Sequence, residues 1–77
     1  MDLRQLRYFV RIVDLGSMSK AAADLFVAQP ALSRQVASLE AELKTPLLVR
    51  SVRGVTPTDA GAALYRQAQG LLRQLSR

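Results

Sequence analysis

Apolar residues along this chain return every three or four positions, with breaks where glycine, proline and short polar clusters fall. Leu3, Leu6, Phe9, Val10 and Val13 draw one buried stripe on a first helix from Leu3 to Leu15, which Gly16 ends. Tyr8, Ile12 and Leu15 form a second stripe on the far side, so a further element must cover this helix from there. Arg4, Arg7 and Arg11 share the flank between the stripes, where a solvated face is the better reading for all but Arg4.

Ser17 or Ser19 can cap a second helix, with Met18, Ala22 and Leu25 turned inward and Lys20 in its exposed first turn. The run Ala21, Ala22, Ala23 either lets a neighbouring helix approach closely or reflects helix propensity alone. Phe26, Val27 and Ala28 make a short non-polar turn, and Gln29-Pro30 restarts the chain, because proline is tolerated in a first helical turn. The pattern then predicts a third helix to about Leu43, with Leu32, Val36, Leu39 and Leu43 on its inner face. Its outer face carries Pro30, Ser33, Arg34, Ala37, Ser38 and Ala41. Helix faces that meet only water normally carry long charged side chains. Here small and hydrogen-bonding groups leave room for a partner to lie against the helix, with one long cation in its N-terminal half.

Lys44-Thr45-Pro46 breaks that helix, and Leu47-Leu48-Val49-Arg50 and Val55-Thr56 read as two short strands around the turn Ser51-Val52-Arg53-Gly54. They form a small hairpin, or wing, with Arg53 at its tip. A tip arginine is ordinarily just solvated, but beside a helix-turn-helix it is placed to reach a nucleic-acid backbone or minor groove. After Pro57, Thr58 caps a fourth helix and Asp59 sets a negative charge at its positive end. Ala60, Leu64, Ala68, Leu71 and Leu75 form its main stripe, widened by Tyr65 and Leu72, while Arg66, Arg73 and Arg77 line the opposite side. That stripe exceeds what a three-helix body covers, and the surplus points to dimerisation through Leu64, Ala68, Leu71 and Leu75. Neither glycine nor proline closes this helix, so the expectation is a piece of a longer protein.

Composition narrows the function classes. A chain of 77 residues makes one small domain of marginal stability, which favours help from a partner. Its net charge of +5 suits a polyanion or a merely solvated surface, and charge alone does not decide. With no cysteine and no histidine, disulfides, thiolate or imidazole metal sites and the triads that need those groups are excluded, and no cofactor is expected. Asp24, Glu40 and Glu42 read as ordinary surface charges and there is no glycine-rich phosphate loop, so catalysis is not expected. No signal-peptide pattern opens the chain and no apolar run approaches a membrane span, which is compatible with a reducing cytoplasm. A competing reading is a helical module that docks a protein on Ser33, Ala37 and Ala41. Such a dock would not need Arg34, Arg53 and Lys20 on one side.

Helix, tight turn, helix, hairpin and long helix make a mainly α winged helix-turn-helix: three helices and a small β-hairpin wing, followed by a dimerisation or linker helix. The segments Leu3-Arg4-Gln5-Leu6-Arg7-Tyr8-Phe9, Gly16-Ser17, Ala21-Ala22, Gln29-Pro30-Ala31-Leu32-Ser33-Arg34-Gln35, Leu39-Glu40, Leu43, Arg50, Arg53-Gly54-Val55 and Thr58-Asp59-Ala60-Gly61 together resemble the N-terminal region of LysR-type transcriptional regulators. Within that family, Val27 to Ser33, Leu47 to Arg50 and Gly54 to Gly61 look most like the nitrogen assimilation control subgroup. Ala28, Leu48 and Lys44 depart from the family, standing where serine, phenylalanine and glycine are common. Ala28 removes a possible cap or phosphate hydroxyl, Leu48 leaves the wing less aromatic, and Lys44 replaces a glycine helix stop with a charge suited to the C-terminal dipole.

The resemblance implies a DNA-binding domain over 1–57, a linker helix over 58–77, and a periplasmic-binding-protein-like effector domain outside this chain that drives tetramerisation. It implies that Gln29, Pro30, Ser33 and Arg34 read bases in the major groove of a double-stranded operator. Arg4, Ser17, Lys20 and Ser38 are better placed for phosphates, and Arg53 serves the wing. Two such modules must act together as a homodimer, because one contacts too few bases to select a site.

Overall fold

The computed structural model describes residues 1–75. Along them run α1 (Leu3–Leu15), α2 (Met18–Leu25), α3 (Gln29–Leu43), β1 (Leu48–Ser51), β2 (Gly54–Pro57) and α4 (Asp59–Leu75). This is the expected mainly helical winged helix-turn-helix. Arg77, expected on the polar side of the last helix, lies outside the described residues.

α1 is the axis about which the core assembles. Asp2 caps it by accepting a hydrogen bond from the Gln5 N–H at 2.8 Å, and Gly16 stops it in the left-handed conformation at φ 63°. Ile12 meets Met18, Ala21 and Ala22 of α2, Leu32 and Val36 of α3 and Val55 of β2, with Tyr8 and Leu15 at the margin. On the other side Leu6 and Val10 pack under Ala68 of α4, while Phe9 is enclosed with Leu39 and Leu47. Both stripes are therefore covered, as their spacing requires. Leu3 is the exception: it is exposed, and burial on its face begins at Leu6.

Of the two candidate caps for α2, Ser17 does the work, accepting from the Lys20 N–H at 3.1 Å. Ala21 and Ala22 are buried but Ala23 is exposed, so the first two have a steric role and the third only helix propensity. Phe26 ends α2 in the left-handed conformation, which exposes 95% of it instead of folding it into the turn; Val27 packs inward in its place. α3 starts at Ala28 with no side-chain cap and has Pro30 in its first turn. Leu32, Val36 and Leu39 are buried, but Leu43 is exposed at the helix end. Lys44 itself adopts the left-handed conformation at φ 57°, closing α3 with N–H groups of Lys44 and Thr45 on the carbonyls of Ala41 and Glu40.

The hairpin begins one residue later than predicted. Leu47 is not in the strand but buried beside Phe9 and Leu39, and β2 is longer than Val55-Thr56, taking in Gly54 and Pro57. Leu48 pairs with Pro57, Val49 with Thr56, Arg50 with Val55 and Ser51 with Gly54, which leaves Val52 and Arg53 as a two-residue turn. The Val55 N–H donates to the Gly16 carbonyl at 3.0 Å, fastening the wing to the α1–α2 turn. Only glycine suits position 54, where φ is 126° and a Cβ would overlap the Gly16 carbonyl oxygen.

Glu40 is not the idle surface charge its sequence position implied. Its Oε2 accepts from the backbone N–H groups of Leu47 at 2.7 Å and Leu48 at 3.3 Å, holding the loop that leads into the wing. Charge-assisted bonds of this kind contribute about 1.5–3 kcal/mol each. Glu40→Ala is expected to lower stability by about 2 kcal/mol in a urea titration, and Glu40→Gln, which keeps an acceptor, by less. Equal stability of Glu40→Ala and the unmodified chain would show the clamp to be inert.

Thr58 caps α4 as expected, accepting from the Gly61 N–H at 3.0 Å while its hydroxyl donates to the Pro46 carbonyl at 2.8 Å. The side of α4 that packs is rotated from the predicted main stripe toward its flank, keeping Leu64 and Ala68 and centring on Tyr65 and Leu72, which were expected only to widen it. Gly61, Leu64, Tyr65, Ala68 and Leu72 face the body, whereas Ala60, Leu71 and Leu75 are exposed. Both stripes are apolar at helical spacing, and only the position of α1 selects between them. Because α4 closes the core over Leu6 and Val10, residue 57 marks a change of element and not a gap in packing.

Candidate nucleic-acid interface

The first two turns of α3 present an exposed surface of small, polar and charged side chains beside Arg50 of the wing. Gln29, Pro30 and Arg34 are exposed and Ser33 is half-buried, with Ala37, Ser38 and Ala41 continuing the exposed face. The inner residues Leu32, Val36 and Leu39 anchor the helix, so its outer face is held rigidly. No side chain caps the N-terminal end, and Pro30 has no N–H there, which leaves the positive end of the helix dipole turned outward.

Two contacts fix the wing, one to the α1–α2 turn and one to α3. The Val55–Gly16 hydrogen bond puts the base of β2 at the start of α2, next to Ser17 and one turn before Lys20. From β1, the Arg50 guanidinium Nη1 donates to Ser33 Oγ across 3.5 Å. Arg53, at the tip, is exposed, and its backbone N–H donates to Ser51 Oγ at 3.2 Å, which stiffens the turn. Lys20 is exposed; Ser17 Oγ is occupied as the α2 cap and lies 3.2 Å from Ser19 Oγ.

Arg4 and Ser38 belong to the other end of the face. Gln5 Nε2 donates to Gln35 Oε1 at 3.0 Å, and the N-terminal ammonium pairs with Glu42. Both contacts lay the start of α1 along the second half of α3, where Ser38 is exposed, and Arg4 is exposed beside Gln5.

Arg11, expected only to keep its face solvated, is instead tied down by an ion pair between helices. It reaches Asp24 of α2 at 2.6 Å and Asp14 at 3.9 Å. The hydrogen bond from Arg11 holds the Asp24 carboxyl below the usual carboxylate range, and the same bond raises the Arg11 guanidinium. The Tyr65 hydroxyl donates to Asp14 and accepts from Gln69 Nε2 at 3.1 Å; the bond to Asp14, then burial, raises its pKa. Asp24, Glu40 and Glu42 are thus all ties between segments.

Of the four residues expected to pair two chains, Ala68 is only 3% exposed, spent against Leu6 and Val10. Leu64 is half-buried, and Leu71 and Leu75 are 42% and 51% exposed. Leu64, Ala68 and Leu71 line, with Met1, Leu6 and Gln67, an apolar groove of about 150 Å³. Among the described residues, no helix is long and apolar enough to cross a membrane.

Arg50, which the structure brings to Ser33, was not singled out by its sequence position. The available signal was its alternation with Leu48 along the strand, which puts the two on one face.

Comparison with known proteins agrees with this arrangement. Residues 3–62 match the family described as bacterial regulatory helix-turn-helix protein, lysR family. The nitrogen assimilation regulatory protein nac of Escherichia coli strain K12 is 61% identical over 74 residues, covering 96% of this chain and 24% of the relative. The chain therefore spans about a quarter of the length of the curated relatives it matches. Among solved structures, the BenM DNA-binding domain in complex with catB site 1 DNA superimposes with a TM-score of 0.95 at 47% identity, covering 99% of this chain and 85% of that one. The CbnR DNA-binding domain in complex with DNA gives 0.93 at 43% identity, covering 100% and 88%.

Proposed function

This chain belongs to the lysR family of bacterial regulatory helix-turn-helix proteins, and from that premise we propose that it reads a partly palindromic operator as a homodimer, with α3 in the major groove. The observation that carries the reading is the outward face of Gln29, Pro30, Ser33 and Arg34, rigidly backed by Leu32 and Val36 and flanked by the wing. Relatives at 47% and 43% identity were crystallised with DNA, and that partner is carried to this chain.

Arg34 presents a planar pair of donors suited to guanine O6 and N7, Gln29 suits the N6 and N7 edge of adenine, and Pro30 can lie against a thymine methyl. Ser33 serves a base or a phosphate. Arg4, Ser17, Lys20 and Ser38 contact phosphates and set register, and Arg53 brings the wing to the backbone or minor groove. The unit over 1–57 reads DNA, and the segment over 58–77, whose helix α4 completes the core of that unit, links it to the rest of the protein. Pairing uses Leu64, Leu71 and Leu75 with the groove that Leu64 and Leu71 line; Ala68 supports that surface from below. Two α3 helices then reach half-sites about one helical turn apart, roughly 34 Å. An effector domain, tetramer formation, a cytoplasmic location and control of nitrogen assimilation, the role in the Escherichia coli relative's name, complete the proposal. The named relatives are transcription regulators and not enzymes.

The test is selection of bound duplexes from a random pool, followed by anisotropy titrations at two salt concentrations. The expected product is a pair of inverted half-sites about 10 base pairs apart, bound at least tenfold more tightly than a scrambled duplex. Insertion of five base pairs between the half-sites, which turns them to opposite sides of the duplex, is expected to remove most of that gain. Equal affinity for selected and scrambled DNA, or no binding at low salt, would overturn the reading.

A further inference from the structure

Arg50 stands on the wrong side of its hairpin for a solvated arginine. It pairs across the strands with Val55, and residues directly opposite in an antiparallel pair share a face. Val55 is buried with Ile12, Leu32 and Val36, and Leu48, two positions before Arg50, packs on the same core. Val49 points the other way and is exposed. Arg50 therefore leaves the core-facing side of β1 where the core ends, and its guanidinium arrives at Ser33 Oγ, 3.5 Å away. Among the described residues the ion pairs are made by the N-terminus and Arg11, so Arg50 carries its charge to the rim of α3 without a carboxylate.

We infer that Arg50 is a positioning residue for DNA recognition, turning the Ser33 hydroxyl into an outward hydrogen-bond donor and lending its remaining N–H groups to the adjacent phosphate. A serine hydroxyl has one proton and two lone pairs, and by itself it serves donors and acceptors alike. With a cation against one lone pair, the proton is repelled from that side and turns outward, toward an acceptor such as guanine O6 or N7, adenine N7 or thymine O4. The planar guanidinium has five N–H groups, and one suffices for Ser33. Wing and reading helix then act on one base position through a shared hydrogen bond. This rests on the reading of Ser33 as a base-edge contact.

A double-variant cycle on the selected operator tests it, with each base pair of the half-site changed in turn and the salt slope measured for each protein. Both side chains lie outside the buried core, and a thermal melt of each variant checks folding. Ser33→Ala is expected to reduce preference at one base pair about tenfold. Arg50→Ala is expected to reduce preference at that same pair by a similar factor, with the double variant no worse there than either single one. Arg50→Lys, a point charge in place of the fork, is expected to keep the salt slope while losing most of the preference. Even weakening of all duplexes by Arg50→Ala, with the Ser33-dependent preference intact and the two losses multiplying, would overturn the inference and leave Arg50 a phosphate contact only. A Ser33→Ala variant with unchanged preferences overturns it as well, while the unmodified chain's preference for the operator keeps the functional reading standing.

Discussion

Gly61→Ala is expected to destabilise the domain by about 3 kcal/mol, lowering its melting temperature by 10 °C or more. Helix propensity alone predicts the opposite, since alanine is favoured over glycine in a helix interior by about 1 kcal/mol. Sterics decide the sign. A Cβ at Gly61 would overlap the carbonyl oxygen of Leu47 and lie 2.9 Å from its carbonyl carbon and 3.3 Å from its Cα. That carbonyl cannot step aside cheaply. It accepts the Thr58 N–H at 3.0 Å, and Leu47 is buried between Phe9 and Leu39 with its own N–H on Glu40. Relief would require α4 to back away from the loop that Thr58 ties down, reopening the packing over Leu6 and Val10. Gly70, in the same helix, is the control: a Cβ there meets nothing within 4 Å, so Gly70→Ala is expected to raise the melting temperature by a few degrees. Thermal melts followed by circular dichroism separate the two. A Gly61→Ala melt within 2 or 3 °C of the unmodified chain would mean that the approach of α4 to Leu47 is looser than the geometry requires.

Arg34→Ala is expected to erase sequence preference at one base pair while leaving most of the affinity for scrambled DNA. A bidentate contact to guanine discriminates by about 1–3 kcal/mol, equivalent to roughly fivefold to more than hundredfold. Arg34 is exposed on the outer face of α3, in line with Pro30 and Ser33 and across the helix from the buried Leu32 and Val36. Losing it removes a reader without disturbing the core. Arg53→Ala should behave differently, weakening all duplexes similarly and lowering the salt slope by about one, because an exposed turn arginine acts chiefly on phosphate charge. Titrations against the operator and its base-substituted forms distinguish the two patterns. If Arg53→Ala removed the preference and Arg34→Ala only the general affinity, the wing and not α3 would be the reading element.

Features set by neighbours along the chain were legible in the amino-acid order. The bounds of α1 and α3, Gly16 as a stop, Thr58 as a cap, a serine cap for α2 at Ser17 or Ser19, and the glycine turn of the wing follow from backbone hydrogen bonding within a few residues. Periodicity likewise identified the inner face of α3, because its outer face is polar enough to leave one choice. The outer positions Gln29, Pro30, Ser33 and Arg34 were legible as the complement of that face.

Elsewhere the local pattern was consistent with several arrangements, and contacts between distant segments chose one. Periodicity ranked Ala60, Leu71 and Leu75 with Leu64 and Ala68, but α1 packs on Leu64, Tyr65, Ala68 and Leu72, so part of the expected dimer seam became core. Glu40 and Asp24 look in sequence like any surface carboxylate; their roles depend on backbone N–H groups seven and eight residues away and on an arginine of another helix. Arg50 acquires its bond to Ser33, 17 residues earlier, only through the hairpin register. The amino-acid order by itself determined the helices and the outward face of α3, because backbone hydrogen bonding and apolar spacing act within a turn or two. Tertiary structure alone decided which apolar stripe of α4 is buried and which charges are tied down, since those depend on distances between segments that no local spacing encodes.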